Sequence, residues 1–300
     1  MSAATTTIGL VGVGAWGGTL LDRFASLGVE VVCYPGRTEA SRGRLHAHGD
    51  HRAVGSVDAL LSEPAIDAIA IATPPETHSA LAQQALSAGK HVFVEKPLCL
   101  EMDDLRRILS LARERSRVLF TGYTVSFHPV VRELARLSTE GRLRTIWSHK
   151  AKTGSFASDV VSTLLVHDLA VVDILTGGLD AWVIDGVSGP ERDPDAVNLA
   201  FGSASGARGR IRVDRVSPDS RRELGVWIDD RVFRWAGGHD LLEFVDGDFP
   251  TVYSSPLSAL EAELQGFLAA VADGRREPEA VERERRLAEL TIRVREEALA

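Results

Sequence analysis

Cysteine is scarce in this 300-residue chain, which contains only Cys33 and Cys99. Cys33 lies in an apolar run and Cys99 follows a proline closely, and neither belongs to a disulfide or metal-binding pattern. The chain also has no stretch approaching about 20 uninterrupted apolar residues and no basic, then apolar, secretory start. We therefore expect reduced thiols in a cytoplasmic protein without a membrane span.

Basic residues are fewer than acidic ones: the chain has 34 Lys and Arg and 42 Asp and Glu, and its formal net charge is −8. Nucleic-acid binding depends on neutralising phosphates with Lys and Arg, so we expect no nucleic-acid partner. Low-complexity tracts and internal repeats are absent as well, which argues against long disorder. The remaining composition, 44% hydrophobic and 25% charged, is typical of a globular protein long enough for two domains.

Short apolar runs alternate with amphipathic stretches over the first 121 residues. The apolar runs are nearly continuous, as expected for parallel strands covered on both faces. They lie at 7–11, 29–34, 66–72, 91–94 and 118–121, with helices predicted near 20–27, 76–88 and 102–115. The pattern predicts an α/β fold whose domain 1–121 is a doubly wound, Rossmann-type parallel sheet.

After residue 121 the alternation of predicted strands and helices ends. Helices are predicted near 129–137 and 159–175, and two more close the chain at 257–273 and 281–299. Between 182 and 235, β-like segments are joined by turn-rich Gly, Pro and Asp, which is typical of antiparallel pairing. We therefore predict a second domain, 122–300, of the α+β type with a large, mostly antiparallel open sheet.

A glycine-rich loop, Gly12-Val13-Gly14-Ala15-Trp16-Gly17, follows the first predicted strand and opens a helix. In this context the first glycine permits a tight turn, the second lets the backbone approach a pyrophosphate, and the third allows close helix–strand packing. The helix N-terminus stabilises phosphate charge. The loop predicts a bound nicotinamide dinucleotide.

The end of the second strand normally carries an Asp or Glu that binds the ribose hydroxyls of NAD. No such carboxylate is present, and the strand runs into Arg37, which can pair with the 2′-phosphate of NADP. We therefore favour NADP(H) over NAD(H). The alternative is that Arg37 is a solvated turn residue and that Glu39 binds the ribose.

Two further patterns follow strands of the first domain. One contains Thr73, Pro74 and His78, and the other is Glu95-Lys96-Pro97. The carboxyl ends of parallel strands border the ligand crevice of open α/β sheets, so we place Lys96 near the nicotinamide.

In the second domain Thr163 and His167 are four residues apart on a predicted helix, with Asp168 beside them. This spacing places Thr163 and His167 on one helix face. His46, His48 and His51 form a short histidine cluster, but no other ligands complete a tetrahedral set, so we expect no metal.

Taken together, these motifs resemble the glucose–fructose oxidoreductase / inositol dehydrogenase family (Gfo/Idh/MocA) along nearly the whole chain. Glu95-Lys96-Pro97 after a Rossmann core is the most specific mark. The others are the glycine loop, Thr73-Pro74-Pro75 with His78, Gly122-Tyr123 with Phe127 and Pro129, Val166-His167-Asp168, and Pro256-Leu257 leading into Glu261, Glu263-Leu264 and Phe267.

The resemblance implies that Lys96 approaches nicotinamide and substrate, and that His167 is the general acid/base. It also implies a homodimer or homotetramer formed through the C-terminal sheet. An acidic residue often stands four before the histidine, where this chain has Thr163. We expect Thr163, Asp168 and Tyr123 near the substrate, although Tyr123 could equally be a packed hinge residue.

These expectations point to an NADP-dependent oxidoreductase that acts on a sugar, nucleotide sugar or similar small polyol or carbonyl compound. Histidine can exchange the hydroxyl proton near neutral pH, and a lysine can stabilise developing negative charge on oxygen. Two alternatives stay open because of Thr163: an imine (C=N) reductase of the same fold, and a non-catalytic dinucleotide-binding sensor or partner subunit.

Overall fold

The computed structural model describes residues 6–154, 158–190 and 193–300. The chain divides into two compact units. The first comprises Met1–Gly122 and Glu263–Glu284, and the second comprises Tyr123–Ala262 and Arg285–Ala300. None of the helices in the described ranges is long and apolar enough to cross a membrane.

The first unit contains a five-stranded, fully parallel sheet with the strand order β2-β1-β3-β4-β5. All residues of β1, β3 and β4 are buried, as the apolar runs predicted. The strands are β1 (Thr7–Val11), β2 (Glu30–Tyr34), β3 (Ala68–Ile71), β4 (His91–Glu95) and β5 (Leu119–Gly122). The helices are α1 (Ala15–Ser26), α2 (Glu39–Ala47), α3 (Val57–Ser62), α4 (His78–Ser87) and α5 (Met102–Glu114).

The second unit contains an eight-stranded sheet with the order β13-β12-β11-β10-β6-β9-β8-β7. Every pairing is antiparallel except β6 with β9, so the sheet is mostly antiparallel as predicted. The strands are β6 (Leu143–Ala151), β7 (Ala181–Ser188), β8 (Ala196–Gly202), β9 (Arg208–Asp214), β10 (Arg221–Ile228), β11 (Arg231–Trp235), β12 (Asp240–Glu243) and β13 (Thr251–Ser254).

The helices introduced after β5 are α6 (Pro129–Glu140), α7 (Val166–Thr176), α8 (Ala259–Asp273) and α9 (Pro278–Ala298). In the second unit, α6, α7 and the later part of α9 share one apolar core with the sheet. For example, Leu169 of α7 and Leu290 of α9 belong to the same buried cluster as Ile146 of β6. The central strand β6 was not predicted, because it alternates polar and apolar residues less regularly than its neighbours.

The two units are divided differently from the predicted boundary in one respect: residues 263–284 belong to the first unit. The ring of Phe267 packs edge-on against Phe93 at 5.4 Å and Phe120 at 5.7 Å between centroids. Glu284 accepts a hydrogen bond from the backbone N–H of Thr121. Burial of the Phe267 ring against these two rings stabilises the packing of the segment on the Rossmann sheet.

A single π-helical turn, Val161–Leu165, leads directly into α7. A π turn is wider than an α turn, and such turns are frequent at functional sites. The prediction that Thr163 and His167 share a face assumed regular α-helical spacing, and the π turn breaks that spacing between them. Their common face is therefore not established by sequence distance.

Candidate active site

The glycine loop joins β1 to α1 and has the shape that a dinucleotide requires. Gly12 adopts φ +93°, and a Cβ there would lie 2.7 Å from the carbonyl oxygen of Ala72. A Cβ on Gly17 would lie 2.0 Å from the carbonyl oxygen of Gly12, whereas one on Gly14 would meet no atom within 4 Å. Gly12 and Gly17 thus permit tight packing, and Gly14 leaves open space at the N-terminus of α1, where a pyrophosphate would be stabilised.

Two exposed residues, Ala15 and Trp16, begin α1. The Trp16 indole Nε1 donates a hydrogen bond to Oε1 of Glu95 at 2.5 Å, although the indole remains 43% exposed. This contact joins the glycine loop to the carboxyl end of β4. Burial raises the pKa of Glu95 to about 7, and the Trp16 hydrogen bond and the charge of Lys96 oppose that rise.

Arginines follow β2 in the turn and in α2, and one of them contacts the glycine loop. Arg37 is exposed in the turn after β2, and its carbonyl oxygen accepts a hydrogen bond from Nη1 of Arg42 at 3.3 Å. From α2, the Nε of Arg44 donates to the carbonyl oxygen of Val13, also at 3.3 Å. The Thr38 hydroxyl caps α2 by accepting from the N–H of Ser41, which fixes the start of this helix.

His78 holds two strand-end loops together. Its ring is buried, with Nδ1 2.8 Å from the carbonyl oxygen of Pro97 and Nε2 2.8 Å from that of Thr73. Burial lowers the pKa of His78, and the two carbonyl contacts oppose this. Since both ring nitrogens contact main-chain carbonyls, His78 positions the segments around Pro74 and Lys96.

Lys96 follows β4 directly and is partly buried, at the strand end where the sequence placed it. Its charge acts on both His78 and Glu95. The first unit therefore brings together the glycine loop, the Thr73–His78 segment and Lys96 at the carboxyl edge of its parallel sheet, which is the ligand-binding edge of such sheets.

In the second unit, the partly exposed His167 lies in the first turn of α7. Thr163, also partly exposed, is in the preceding π turn, and its hydroxyl donates to the carbonyl oxygen of Asp159 at 2.7 Å. The hydrogen of the Thr163 hydroxyl is therefore used within the helix, and only the oxygen lone pairs can accept a further bond. Thr163 cannot replace a carboxylate as a base.

Asp168 is buried, and its carboxylate already has partners. Oδ1 accepts from the hydroxyl of Ser148 on β6 at 2.5 Å, and Nη1 of Arg222 on β10 lies 3.0 Å from both oxygens. These contacts attach the first turn of α7 to two central strands. We therefore interpret Asp168 as a residue that positions its neighbour His167.

Tyr123 starts the second unit and is 3% exposed, inside the apolar core cluster of that unit. This position favours a packed residue over a substrate contact. The histidine cluster is also accounted for: Nδ1 of His48 pairs with Asp22 at 2.9 Å, and His51 contacts the carbonyl oxygen of His48. No group of three or more His, Cys, Asp or Glu side chains within the described ranges is arranged to hold a metal ion.

Comparison with known proteins agrees with the predicted resemblance. A model of the NAD-binding Rossmann fold of the GFO_IDH_MocA oxidoreductase family matches residues 6–123. The chain is 29% identical over 280 residues to UDP-N-acetylglucosamine 3-dehydrogenase of Acidithiobacillus ferrooxidans, and the match covers 88% of each chain. The resemblance to the Gfo/Idh/MocA family that the motifs predicted is thus confirmed over the Rossmann domain. The chain is an NAD(P)-dependent oxidoreductase, as the motifs predicted.

Solved structures agree with the predicted fold class. The chain resembles a structure of UDP-N-acetylglucosamine 3-dehydrogenase from Acidithiobacillus ferrooxidans with a TM-score of 0.86 over 99% of both chains, at 26% identity. A complex of levoglucosan dehydrogenase with NADH and levoglucosan gives 0.84 over 98% of this chain and 97% of that chain. At 18% identity, this second likeness shows the fold alone.

Two residues of this site were missed by the sequence analysis. Arg44 could have been found, because it lies on the helix that begins just after Arg37. Arg222 carried no signal beyond its place in a basic pair before a predicted strand, because its partner Asp168 is 54 positions away.

Proposed function

We propose that this enzyme transfers a hydride between NADP(H) and a hydroxyl-bearing carbon of a sugar or nucleotide sugar. The observation that carries the proposal is the strand-end arrangement of an open glycine loop, a Trp16–Glu95 link and Lys96. Similarity over most of the chain to an enzyme named for a nucleotide sugar supports the substrate class.

The preference for NADP(H) is supported by Arg37 and Arg44. Arg37 occupies the place of the ribose-binding carboxylate, and Arg44 is held against the glycine loop through Val13. Guanidinium groups bind phosphates through paired, charge-assisted hydrogen bonds, which a 2′-phosphate offers and a 2′-hydroxyl does not. Glu39 is exposed in the first turn of α2 and offers the alternative ribose ligand.

Cofactor titration tests this preference. We expect Arg37→Gln and Arg44→Gln each to weaken NADPH binding about tenfold while NADH affinity stays unchanged. Arg106→Gln on the exposed surface of α5 is the matched control, because its side chain pairs only locally with Asp103. If the wild-type protein binds NADH as tightly as NADPH, the assignment of NADP(H) is wrong.

In the proposed reaction, the bound nicotinamide supplies or accepts the hydride. An imidazole nitrogen of His167 takes the hydroxyl proton during oxidation and returns it during reduction. The Nζ of Lys96 stabilises negative charge that develops on the substrate oxygen. Asp168 keeps the first turn of α7 attached to β6 and β10, and His78 keeps the Lys96 loop attached to that of Thr73.

Kinetics of Lys96→Ala, His167→Ala and the double variant test these roles. Each single change should lower turnover by about a hundredfold or more. If both groups act on one transition state, the double variant should lose less than the product of the single losses. Near-normal turnover in both single variants would show that Lys96 and His167 do not have these catalytic roles.

A substrate panel with both cofactors tests the reaction class. Nucleotide sugars, free sugars and polyols should show cofactor-dependent turnover that is absent with cyclic imines. Turnover of imines alone would show that the enzyme reduces C=N bonds instead. Thr163, at the position where an acidic residue is usual, is compatible with that alternative. Cofactor binding without turnover of any compound would favour a sensor role.

Self-association through the second-unit sheet also belongs to this proposal. Trp147 of β6 is 39% exposed on the face opposite Ser148, which bonds to α7, and Trp227 of β10 is exposed as well. Exposed aromatic patches of this kind are common at interfaces between protein chains. Light scattering should show a dimer or tetramer for the wild type and a smaller species for Trp147→Glu.

A further inference from the structure

Positively charged side chains gather on the face of the second-unit sheet that carries α7. Arg222 of β10 stands directly opposite Lys150 of β6 in the antiparallel register. Both project to the same side as Ser148, because side chains alternate along a strand and Ser148 contacts α7.

The guanidinium of Arg222 is held rigidly and is only 15% exposed. Its Nη1 pairs with Asp168 at 3.0 Å, and its plane lies over Trp235, 5.1 Å from the ring centroid. Gly237 adopts φ +86°, and a Cβ there would lie 2.9 Å from Cγ of Arg222. The absence of a side chain at Gly237 therefore leaves room for the stem of Arg222.

One nitrogen of this guanidinium has no protein acceptor. Within the described ranges, the buried Nη2 of Arg222 has no hydrogen-bond partner. A guanidinium is always charged, and buried donors in proteins are almost always satisfied. Nη1 of Arg222 is thus bound to Asp168, while Nη2 lacks an acceptor among the residues that the structure describes.

Several ionisable side chains lie on this face of the sheet. Arg222 and Lys150 are the fixed cations, and His128 and His239 are close enough for their charges to interact. Asp168 is paired with Arg222, whereas Glu223 points to the other face and pairs there with Arg234. Burial, with the charges of His239 and Arg222, lowers the pKa of His128 to about 4.

We propose that Arg222 binds an anionic group of the substrate, a carboxylate or a phosphoryl group, through Nη2. The proposal rests on the proposed function, because Asp168 joins Arg222 to the turn that carries His167. A planar anion would accept a charge-assisted hydrogen bond from Nη2 and complete the guanidinium fork. The substrate class is thereby narrowed from any sugar to an acidic sugar or a nucleotide sugar.

Binding measurements without turnover test the anion site. Uridine diphosphate and glucuronate are compared with uridine and glucose as neutral matches, using tryptophan fluorescence because Trp235 lies under the guanidinium. We expect at least one anion to bind and its neutral match to bind about ten times more weakly or worse. The anion that binds identifies the phosphoryl or the carboxylate source.

Variants connect this binding to Arg222. Arg222→Lys keeps a cation beside buried Asp168 but removes the planar fork, and should weaken anion binding about tenfold. The Arg222→Gln, Asp168→Asn double variant removes both charges of the buried pair. It should bind each anion no more tightly than the neutral match of that anion. Arg221→Gln, on the exposed side of the same strand, is the control and should bind like wild type.

The outcomes separate this inference from the proposed function. If both Arg222 variants bind anions as tightly as wild type, or if no anion binds better than its neutral match, the anion site is refuted even when sugars are turned over. If anion binding depends on Arg222 but no sugar or nucleotide sugar is oxidised or reduced, the site stands and the proposed reaction fails. With turnover, Arg222→Lys should raise KM for the anionic substrate more than it lowers kcat.

Discussion

The indole of Trp16 and the carboxyl group of Glu95 are linked by a 2.5 Å hydrogen bond between the glycine loop and the end of β4. Trp16 lies on the helix that follows β1, and Glu95 is the last residue of β4. These two strands are not neighbours, because β3 lies between them in the sheet. Trp16 therefore reaches across the carboxyl edge at which a dinucleotide binds in folds of this type. The link makes the position of the glycine loop depend on a residue adjacent to Lys96.

Removing the indole donor should loosen the loop without unfolding the protein. We expect Trp16→Phe to weaken dinucleotide binding about three- to tenfold, because a typical hydrogen bond contributes about 0.5–1.5 kcal/mol. Isothermal titration calorimetry measures the change. Trp227→Phe, an exposed tryptophan in the other unit, should leave the affinity as it is.

Protonation of Glu95 should be visible in the pH dependence of stability. Its pKa is raised from 4.5 to about 7 in the folded protein, so its contribution is fully present below pH 4.5 and is lost as pH rises through 7. Glu95→Gln does not titrate. Its free energy of unfolding, relative to wild type, should therefore rise between pH 5 and 8, by at most about 3 kcal/mol. A constant difference in urea unfolding across that range would contradict a neutral, buried Glu95.

The glycines of the loop should respond differently to the same added methyl group. At Gly17 a Cβ would strike the carbonyl oxygen of Gly12, whereas at Gly14 it would enter open space. We expect Gly17→Ala to lower the melting temperature and abolish dinucleotide binding. Gly14→Ala should keep the melting temperature but weaken binding, because only the pyrophosphate would meet the new methyl group. Equal stability losses in the two variants would show that the open space at Gly14 is not available.

Acid should destabilise the second unit partly through His128. Its pKa is lowered from 6.5 to about 4, so its contribution to stability is present above pH 6.5 and is lost as pH falls through 4. His128 also caps α6, with Nδ1 accepting from the N–H of Val130. His128→Asn keeps a good capping residue but does not titrate. Between pH 7 and pH 4, the free energy of unfolding of this variant should fall by about 1–3 kcal/mol less than that of the wild type. Chemical unfolding measures the difference.

Much of the fold was predictable because its signals are local. Continuous apolar runs predicted the parallel strands, and the glycine spacing after β1 predicted the loop geometry. The predicted helix at 102–115 matches α5, Met102–Glu114, because its apolar residues recur at helical spacing. The alternation in β6 was too irregular for such a prediction, and the π turn before His167 has no simple sequence pattern.

The candidate site was predictable only in part, for the same reason. Lys96 and Gly12 follow strands directly, so their place at the carboxyl edge follows from chain direction alone. The partners of buried polar groups do not, since Trp16 and Glu95 are 79 positions apart and Asp168 and Arg222 are 54 apart. The sequence places Asp168 beside His167, but only the structure shows its carboxylate bound to Ser148 and Arg222.

The sequence by itself determined a Rossmann domain with a dinucleotide loop and placed Lys96 at a strand end. These depend on periodicity, glycine placement and chain direction, which act over a few residues. Tertiary structure alone decided that residues 263–284 pack on the Rossmann sheet and that Arg44 contacts the glycine loop. It also decided that Nη2 of Arg222 has no hydrogen-bond partner in the described part of the chain. Those outcomes depend on which distant elements bury one another, because burial forces each polar group to find a partner and leaves an unpaired one where a ligand can bind.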